Sequence, residues 1–173
     1  MSETWLISNE ANSIKLQIEG FKLITNSVGR GKGLATYFRE GIFRHITNVQ
    51  ESAYQITKIK SPFLDVISVY RSKEASSNHV AEMLLKMIEN GRNTLITGDF
   101  NICFKSNRSN KLIKTLEEKG LKQFVNEATH IKGGTIDHIY SNVDESQVEV
   151  SLYSPYYCAR DHDALLSIVK CMA

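Results

Sequence analysis

The sequence is poor in the residues that mark several common classes of protein. Of its 173 residues only 2 are proline and 10 are glycine, which excludes collagen-like and linker-like chains. The 3 cysteines are odd in number and widely spaced, and they form no C-x-x-C pair. Such a set argues against a disulfide framework or a zinc cage, and it favours a reducing, intracellular compartment. These cysteines are Cys103, Cys158 and Cys171.

Long apolar runs are also lacking. No stretch approaches the ~20 apolar residues of a membrane-spanning helix, and residues 1–20 show no basic stretch followed by an apolar run, as a secretory signal would. We therefore expect no membrane partner. The formal net charge of +2 permits a polyanionic partner without requiring one.

What is present is the composition of a folded domain. Hydrophobic residues make up 42% and charged residues 23% of a chain whose length suits one domain. No change in composition marks a linker, so we expect a single domain over 1–173.

The hydrophobic pattern predicts a strand-rich α/β domain with two helices. Apolar residues recur at helical spacing over 77–90 and from about 109 to 119, each stretch being followed by glycine. A hairpin is predicted at Glu40-Gly41. The alternation or β-branched composition of strands occurs over 14–18, 21–25, 34–39, 42–46, 53–59, 63–70, 94–97, 135–140, 147–152 and 164–169. Such a pattern favours sheets packed face to face with helices outside.

Polar residues interrupt or follow predicted strands at three places. Asp99 and Asn101 end the strand 94–97, and strand alternation would place both side chains on one side. Asp137 lies within an otherwise apolar strand, and Asp161-His162 precedes the last strand. Acids, an amide and an imidazole at strand ends are groups that could bind a hard divalent ion and activate water.

Each of these features also has an ordinary structural explanation. A strand followed by Asp-x-Asn is commonly a turn, and an aspartate in a strand commonly pairs across the sheet. Tyr70, at another strand end, has the character of half-buried core. The basic run of Lys105, Arg108 and Lys111 is typical of a solvated helix face. Composition and spacing alone therefore indicate only a candidate metal-dependent site.

The order of these segments is similar to that of the endonuclease/exonuclease/phosphatase superfamily. Its members include apurinic endonucleases, deoxyribonuclease I and the endonuclease domains of non-LTR (LINE-type) retrotransposons, which this chain resembles most. The residues that carry the resemblance are 3–6 (ETWL), 29–35 (GRGKGLA, resembling GRGGGVA), 68–72 (SVYRS, resembling VYRPP), 97–101 (TGDFN), 133–142 (GGTIDHIYSN) and 160–165 (RDHDAL, resembling SDHDAL).

This resemblance implies a fold and an activity. The fold is a four-layer α/β sandwich, in which two packed, mainly antiparallel sheets are flanked by helices, as in deoxyribonuclease I. The activity is Mg²⁺-dependent nicking of DNA, with Mn²⁺ as an alternative ion. By resemblance, Glu3 and Asp161 hold the ion, Asp99 positions or deprotonates the attacking water, and Asn101 orients that water and a phosphate oxygen.

The resemblance assigns the remaining roles to groups that contact the phosphate. His162 contacts or exchanges a proton with the scissile phosphate, held in its tautomer by Asp137, and Tyr70 donates a hydrogen bond to it. The general base is left open between Asp99 and His162. The basic residues that follow Asn101 leave the same strand end as the site, so we expect them to grip the DNA backbone. These residues are Lys105, Arg108 and Lys111.

The biological setting also follows from the resemblance. A retrotransposon endonuclease acts with a reverse transcriptase of the same element, and cleavage of genomic DNA would place it in the nucleus.

The sequence departs from the family pattern at its start. Only Met1-Ser2 precede Glu3, where the family has a further strand with a metal-organising asparagine, so we expect an N-terminally truncated domain. Arg160 replaces a serine, and Ser72-Lys73 replaces a proline pair. Two alternatives therefore stay open: an inactive remnant that binds nucleic acid or another partner, and hydrolysis of a small phosphoester.

Overall fold

The computed structural model describes residues 17–27, 32–153 and 161–170. Within this part of the chain there are ten strands, two α-helices and one short 3₁₀ helix, Glu145–Gln147. The helices are α1 (Ser77–Met87) and α2 (Lys111–Glu118). The strands are β1 (Lys22–Ser27), β2 (Gly33–Phe38), β3 (Arg44–Gln50), β4 (Tyr54–Lys60), β5 (Asp65–Arg71), β6 (Thr94–Asp99), β7 (Lys122–Gln123), β8 (Asp137–Ser141), β9 (Val148–Tyr153) and β10 (Ala164–Val169).

Six of these strands form one mixed sheet, in the order β3-β4-β5-β6-β8-β7. Strands β5 and β6 are parallel because α1 carries the chain from one to the other, whereas their neighbours pair antiparallel. Strands β1 and β2 form one antiparallel pair, and β9 and β10 form another. The predicted α/β class is confirmed.

The two helices cover one face of the six-stranded sheet. Alternate strand residues such as Ile56, Ile96 and Tyr140 join one buried apolar cluster with Leu84 of α1 and Leu116 of α2. Burying such side chains contributes roughly 1.5–3 kcal/mol each relative to exposure. Side-chain oxygens of the preceding residues, Ser76 and Asn110, cap the two helices. Neither helix is long and apolar enough to cross a membrane.

The opposite face of the sheet is covered by the two antiparallel pairs. Leu95 and Ile139 of the sheet belong to a second buried cluster, against which Val150 of β9 and Leu165 of β10 pack. On the β1 side, the buried Asn26 side chain donates a hydrogen bond to Thr57 Oγ1 of β4 at 3.0 Å. Helices therefore lie on one face of the sheet and strands on the other, so each face presents different residues of the same strands.

Helix α1 ends earlier than the sequence pattern predicts. It stops at Met87 rather than residue 90, and Ile88 is already extended. The buried Lys58 ammonium donates to the Met87 carbonyl at 2.7 Å and pairs with Asp65 at 2.9 Å. A cation from a distant strand thus satisfies the helix C-terminus, so Gly91 is not its cap.

The predicted hairpin at Glu40-Gly41 is wrong. Strand β2 pairs with β1 and β3 with β4, so the turn between them joins two sheets. The amides of Ile42 and Phe43 both donate to the Arg39 carbonyl, forming a helical turn that leads the chain away from β2. The two-residue strand β7 was not predicted. Of the predicted strand 14–18, residues 14–16 lie outside the described residues, and residues 17–18 are not in a strand.

His138 is a buried core residue on the helix side of β8. Its ring stacks on Phe100 at a centroid distance of 4.7 Å, and its Nε2–H donates to the carbonyls of Ile102 and Thr135 at 2.9 and 3.1 Å. Both acceptors are carbonyls, so Nε2 carries the proton. Burial lowers the pKa of His138 to about 4, against 6.5 for a free imidazole.

Acid should therefore destabilise the protein through His138. Between pH 6.5 and about 4 the histidine is protonated in the unfolded chain but stays neutral in the native protein. The free energy of unfolding therefore falls as the pH falls. The total loss is about 3 kcal/mol at roughly 1.4 kcal/mol per pKa unit. Urea unfolding of His138→Gln should show a weaker dependence on pH than the wild type, and His45→Gln, at an exposed histidine, should not. An unchanged dependence in His138→Gln would contradict this role.

Candidate active site

Strand register places three of the predicted site residues side by side. Tyr70 of β5 lies opposite Asp99 of β6, and Asp99 lies opposite Asp137 of β8. Facing residues on paired strands project to the same side of a sheet, and Ile96 of β6 packs on the helix side. The three residues therefore form a row on the face opposite the helices. Each side chain of the row is buried or nearly so.

The end of β6 depends on a glycine. Gly98 has φ +145°, and a Cβ at this position would lie 1.8 Å from the carbonyl oxygen of Val69. No side chain fits there, because the backbones of β5 and β6 approach too closely. The next residue along the strand is Asp99, so this close contact fixes the position of the central carboxylate.

A left-handed turn brings Asn101 beside Asp99. Asn101 has φ +49°, and its backbone N–H donates to Asp99 Oδ1 at 2.8 Å. Its side-chain amide donates to Asp99 Oδ2 at 3.0 Å and to the Arg71 carbonyl at 2.9 Å. The two side chains lie together as predicted, but the cause is this turn rather than strand alternation, because β6 ends at Asp99.

Asp137 and His162 form the hydrogen-bonded pair at the end of the row. His162 Nδ1 lies 2.9 Å from Asp137 Oδ2. This hydrogen bond, together with attraction to Asp137, Asp99 and Asp161, outweighs the effect of burial and raises the pKa of His162 to about 9. Ligand atoms of Asp99, Asp137 and His162 all lie within 4.8 Å of one another. With Nδ1 engaged, Nε2 is the nitrogen left to meet a substrate.

A short bridge to the loop before β8 holds the Asp161-His162 segment in place. The Ile131 amide donates to the Asp161 carbonyl, and the Asp163 amide to the Thr129 carbonyl, both at 2.8 Å. Thr129 is fully buried, and its hydroxyl accepts hydrogen bonds from the amides of Ile136 and Asp137 at 3.1 and 3.0 Å. Thr129 therefore ties the segment carrying His162 to the start of the strand carrying Asp137.

His130 also belongs to the site, although it lies outside the sequence motifs that predict the site. Its Nδ1 accepts from the Lys132 amide at 3.0 Å, so its Nε2 carries the proton and lies 3.5 Å from Asp161 Oδ2. Its ring meets the edge of His162 at 4.9 Å. The pKa of Asp161 is lowered by a hydrogen bond from the backbone of Asp161 itself and by the nearby His162 and His130. The only sequence signal for His130 is its position three residues before the motif that begins at Gly133.

These groups border one open cleft of about 420 Å³. The predicted residues Tyr70, Asn101, Asp161 and His162 line it, and Asp99 and Asp137 are buried behind Asn101 and His162, to which they are hydrogen-bonded. The predicted metal ligand Glu3 lies outside the described residues. Three lysines that are not among the predicted site residues also line the cleft: Lys32, Lys73 and Lys132.

The residues predicted to grip DNA lie elsewhere. None of Lys105, Arg108 and Lys111 is among the described residues that line the cleft. The Arg108 guanidinium lies over the Phe104 ring, 4.1 Å from its centroid, and borders a separate pocket that also includes Glu117 of α2.

Comparison with known families identifies the chain. A family model described as endonuclease–reverse transcriptase, of the endonuclease/exonuclease/phosphatase type, matches residues 64–166, more than half of the sequence. The chain belongs to this family. The matched range contains the whole described part of the site except Lys32, and it confirms the resemblance drawn from the motifs. No curated protein sequence matches the chain significantly.

Solved structures agree on the fold. The protein is similar to the endonuclease domain of TRAS1, a telomere-specific non-LTR retrotransposon (TM-score 0.66, 14% identity, 89% of this chain and 80% of that one). It is also similar to an AP endonuclease from Archaeoglobus fulgidus (TM-score 0.74, 14% identity, 98% and 87%). CdtB, the active subunit of cytolethal distending toxin, gives a TM-score of 0.62 at 12% identity, over 88% and 75%. The fold is the predicted deoxyribonuclease I-like α/β sandwich, and family and fold together support a nuclease-type hydrolase.

The role of Thr129 in assembling the site can be tested by removing its hydroxyl. Thr129→Val leaves the partly buried amide of Ile136 and the buried amide of Asp137 without their acceptor. We expect a loss of about 1–3 kcal/mol in the free energy of unfolding, measured by urea denaturation. Thr129→Ser keeps the acceptor and should lose clearly less. Equal losses in the two variants would mean that the methyl group matters and the hydroxyl does not.

Proposed function

We propose that this protein is a Mg²⁺-dependent endonuclease that nicks DNA. The observation that carries the proposal is the Asp137–His162 pair, with a 2.9 Å hydrogen bond, beside the Asp99–Asn101 pair at one cleft. A carboxylate-oriented imidazole next to a second carboxylate supplies what hydrolysis of a phosphodiester requires: a held water and a donor to the phosphate oxygens.

The oxygen donors of the cleft suit a hard divalent ion. The Asp161 carboxylate is exposed in the cleft, and Asn101 uses its amide nitrogen for hydrogen bonds, which leaves its amide oxygen as a ligand. Mg²⁺ prefers one or two carboxylates together with substrate phosphate oxygens. In this proposal Asp161 and Glu3 hold the ion, and Mn²⁺ can replace it. When bound, the ion would stabilise charge on the phosphate oxygens.

The chain's own residues would then act on either side of the phosphate. Asp99, held by Asn101, positions the attacking water and accepts its proton. His162 donates a hydrogen bond from Nε2 to a phosphate oxygen, and Asp137 fixes its ring through Nδ1. The Tyr70 hydroxyl, on the cleft wall, donates to another phosphate oxygen.

The substrate and setting are proposed from the comparisons. Two similar structures are named as endonucleases, one as the endonuclease domain of a retrotransposon and one as an AP endonuclease, and the family description couples endonuclease with reverse transcriptase. We therefore propose DNA as substrate, a reverse transcriptase of the same element as partner, and action on genomic DNA in the nucleus.

The test is nicking of a supercoiled plasmid. With Mg²⁺ the wild type should produce open circles, EDTA should abolish them, and His162→Ala should slow nicking by about 100-fold or more, because a positioned donor contributes that much. His45→Ala, at an exposed histidine on β3, is the matched control and should nick at the wild-type rate. Equal nicking by wild type and His162→Ala would refute the proposal.

Two further measurements, beside the nicking assay, separate the two alternatives. An inactive binding module would bind DNA with an affinity that depends on salt but not on Mg²⁺, and it would not nick the plasmid. Hydrolysis of an inositol phosphate by a protein that leaves the plasmid intact would indicate a small-molecule phosphoesterase.

A further inference from the structure

We propose that three lysines on the rim of the cleft, Lys32, Lys73 and Lys132, hold the DNA backbone on either side of the reacting phosphate. We refer to them as the rim lysines. This inference rests on the proposed function, since it concerns the substrate of the same cleft.

The rim lysines converge from separate parts of the chain. Lys32 immediately precedes β2, Lys73 follows β5, and Lys132 lies in the loop between β7 and β8. All three border the cleft that Tyr70 and His162 line. Three cations from such distant positions therefore border one cleft, and each can neutralise a different phosphate of a bound strand.

The charges of the rim lysines are not used within the described structure. None of the three forms an ion pair with another described residue, whereas five other lysines do. The paired lysines are Lys22, Lys58, Lys60, Lys122 and Lys170. Lys73 and Lys132 are exposed, and Lys32 is partly so. Unpaired ammonium groups at a cleft mouth attract a polyanion and can bind it without first breaking an internal ion pair.

Two exposed acids, Asp161 and Glu74, line the same cleft, and Glu74 lies close to two of the rim lysines. The pKa of Glu74 is lowered mainly by the nearby Ser72 side chain, with further contributions from Lys32 and Lys73. Glu74 is therefore near two of the rim lysines, and it would repel a phosphate bound to them. Removing its charge should strengthen the binding of DNA.

Two rim lysines are departures of this sequence from the motifs it resembles. Lys32 stands where the GRGGGVA stretch has glycine, and Lys73 where VYRPP has its second proline. The motifs have uncharged residues at both positions, whereas this chain has a lysine at each. The site motifs therefore do not account for this patch.

The basic run after Asn101 is less suited to the task. Arg108 packs on the Phe104 ring and borders a different pocket, and Lys105 and Lys111 do not line the cleft. The rim lysines, which do line the cleft, are therefore better placed to contact phosphates close to the reacting one.

A polynucleotide uses this arrangement better than a small phosphoester does. Several separate cations can each meet a different phosphate of a DNA strand, and each such pairing releases counterions. A monoester has one phosphate, which the reacting centre itself would hold. The rim lysines therefore favour DNA over a small substrate that carries a single phosphate.

The test measures binding of a labelled DNA duplex in EDTA over a range of salt concentrations, so that no cleavage occurs. For the triple variant Lys32→Gln/Lys73→Gln/Lys132→Gln, the slope of log K against log salt should become shallower by about 0.9 for each phosphate that a lysine no longer neutralises. The matched control is Lys105→Gln/Arg108→Gln/Lys111→Gln, which removes the same charge and should change the slope clearly less. Glu74→Gln should tighten binding.

Two results would overturn the inference: an unchanged slope in the rim variant, or an equal change in the control variant. Circular dichroism checks that each variant is folded, and the single variants replace any triple variant that is not. Binding in EDTA is independent of nicking, so the two proposals fail separately. A wild type that does not nick, together with a rim variant whose binding depends less on salt, would refute only the proposed function.

Discussion

Strand β6 reaches β5 closely enough to build this site only because position 98 carries no side chain. A Cβ there would lie 1.8 Å from the Val69 carbonyl oxygen. One residue further along β6, Asp99 faces Tyr70 on one side and Asp137 on the other. The chain then enters the left-handed turn at Asn101, whose hydrogen bonds hold the Asp99 carboxylate. The close approach at Gly98 thus lies next to four polar groups of the site: Tyr70, Asp99, Asn101 and Asp137.

The rest of the site depends on a contact between segments far apart in the sequence. Thr129 holds the start of β8 through its hydroxyl and the segment of His162 through its carbonyl. His130, the next residue, lies against both Asp161 and His162. The imidazole of His162 lies against Asp137 because two backbone hydrogen bonds and the buried Thr129 hydroxyl hold the His162 segment beside the start of β8. Positioning of this kind is what lets a histidine act on a phosphate rather than serve as a surface residue.

Much of this site could be predicted from the sequence, because its residues sit in collinear motifs whose order is specific. The motifs led to Tyr70, Asp99, Asn101, Asp137 and His162, all of which the structure brings to one cleft or directly behind it. The fold class followed from the same resemblance and from the strand pattern.

The misses have tertiary causes. The hairpin at Glu40-Gly41 failed because local turn residues do not say which strand a segment pairs with. Helix α1 ends at Met87, whose carbonyl accepts a hydrogen bond from Lys58, a buried cation on strand β4. His130 and the rim lysines belong to the site through loop geometry, which strand and helix periodicity does not encode.

The proposed chemistry depends on the pairing of Asp137 with His162. Its most direct test is the single-turnover rate of plasmid nicking in Mg²⁺ by Asp137→Asn, with Asp144→Asn, at an exposed acid that caps a 3₁₀ helix, as control. If Asp137 orients the imidazole, nicking should slow by at least about 100-fold in Asp137→Asn, while DNA affinity and the control's rate stay within about two-fold of the wild type. Nicking at the wild-type rate by Asp137→Asn would contradict this role.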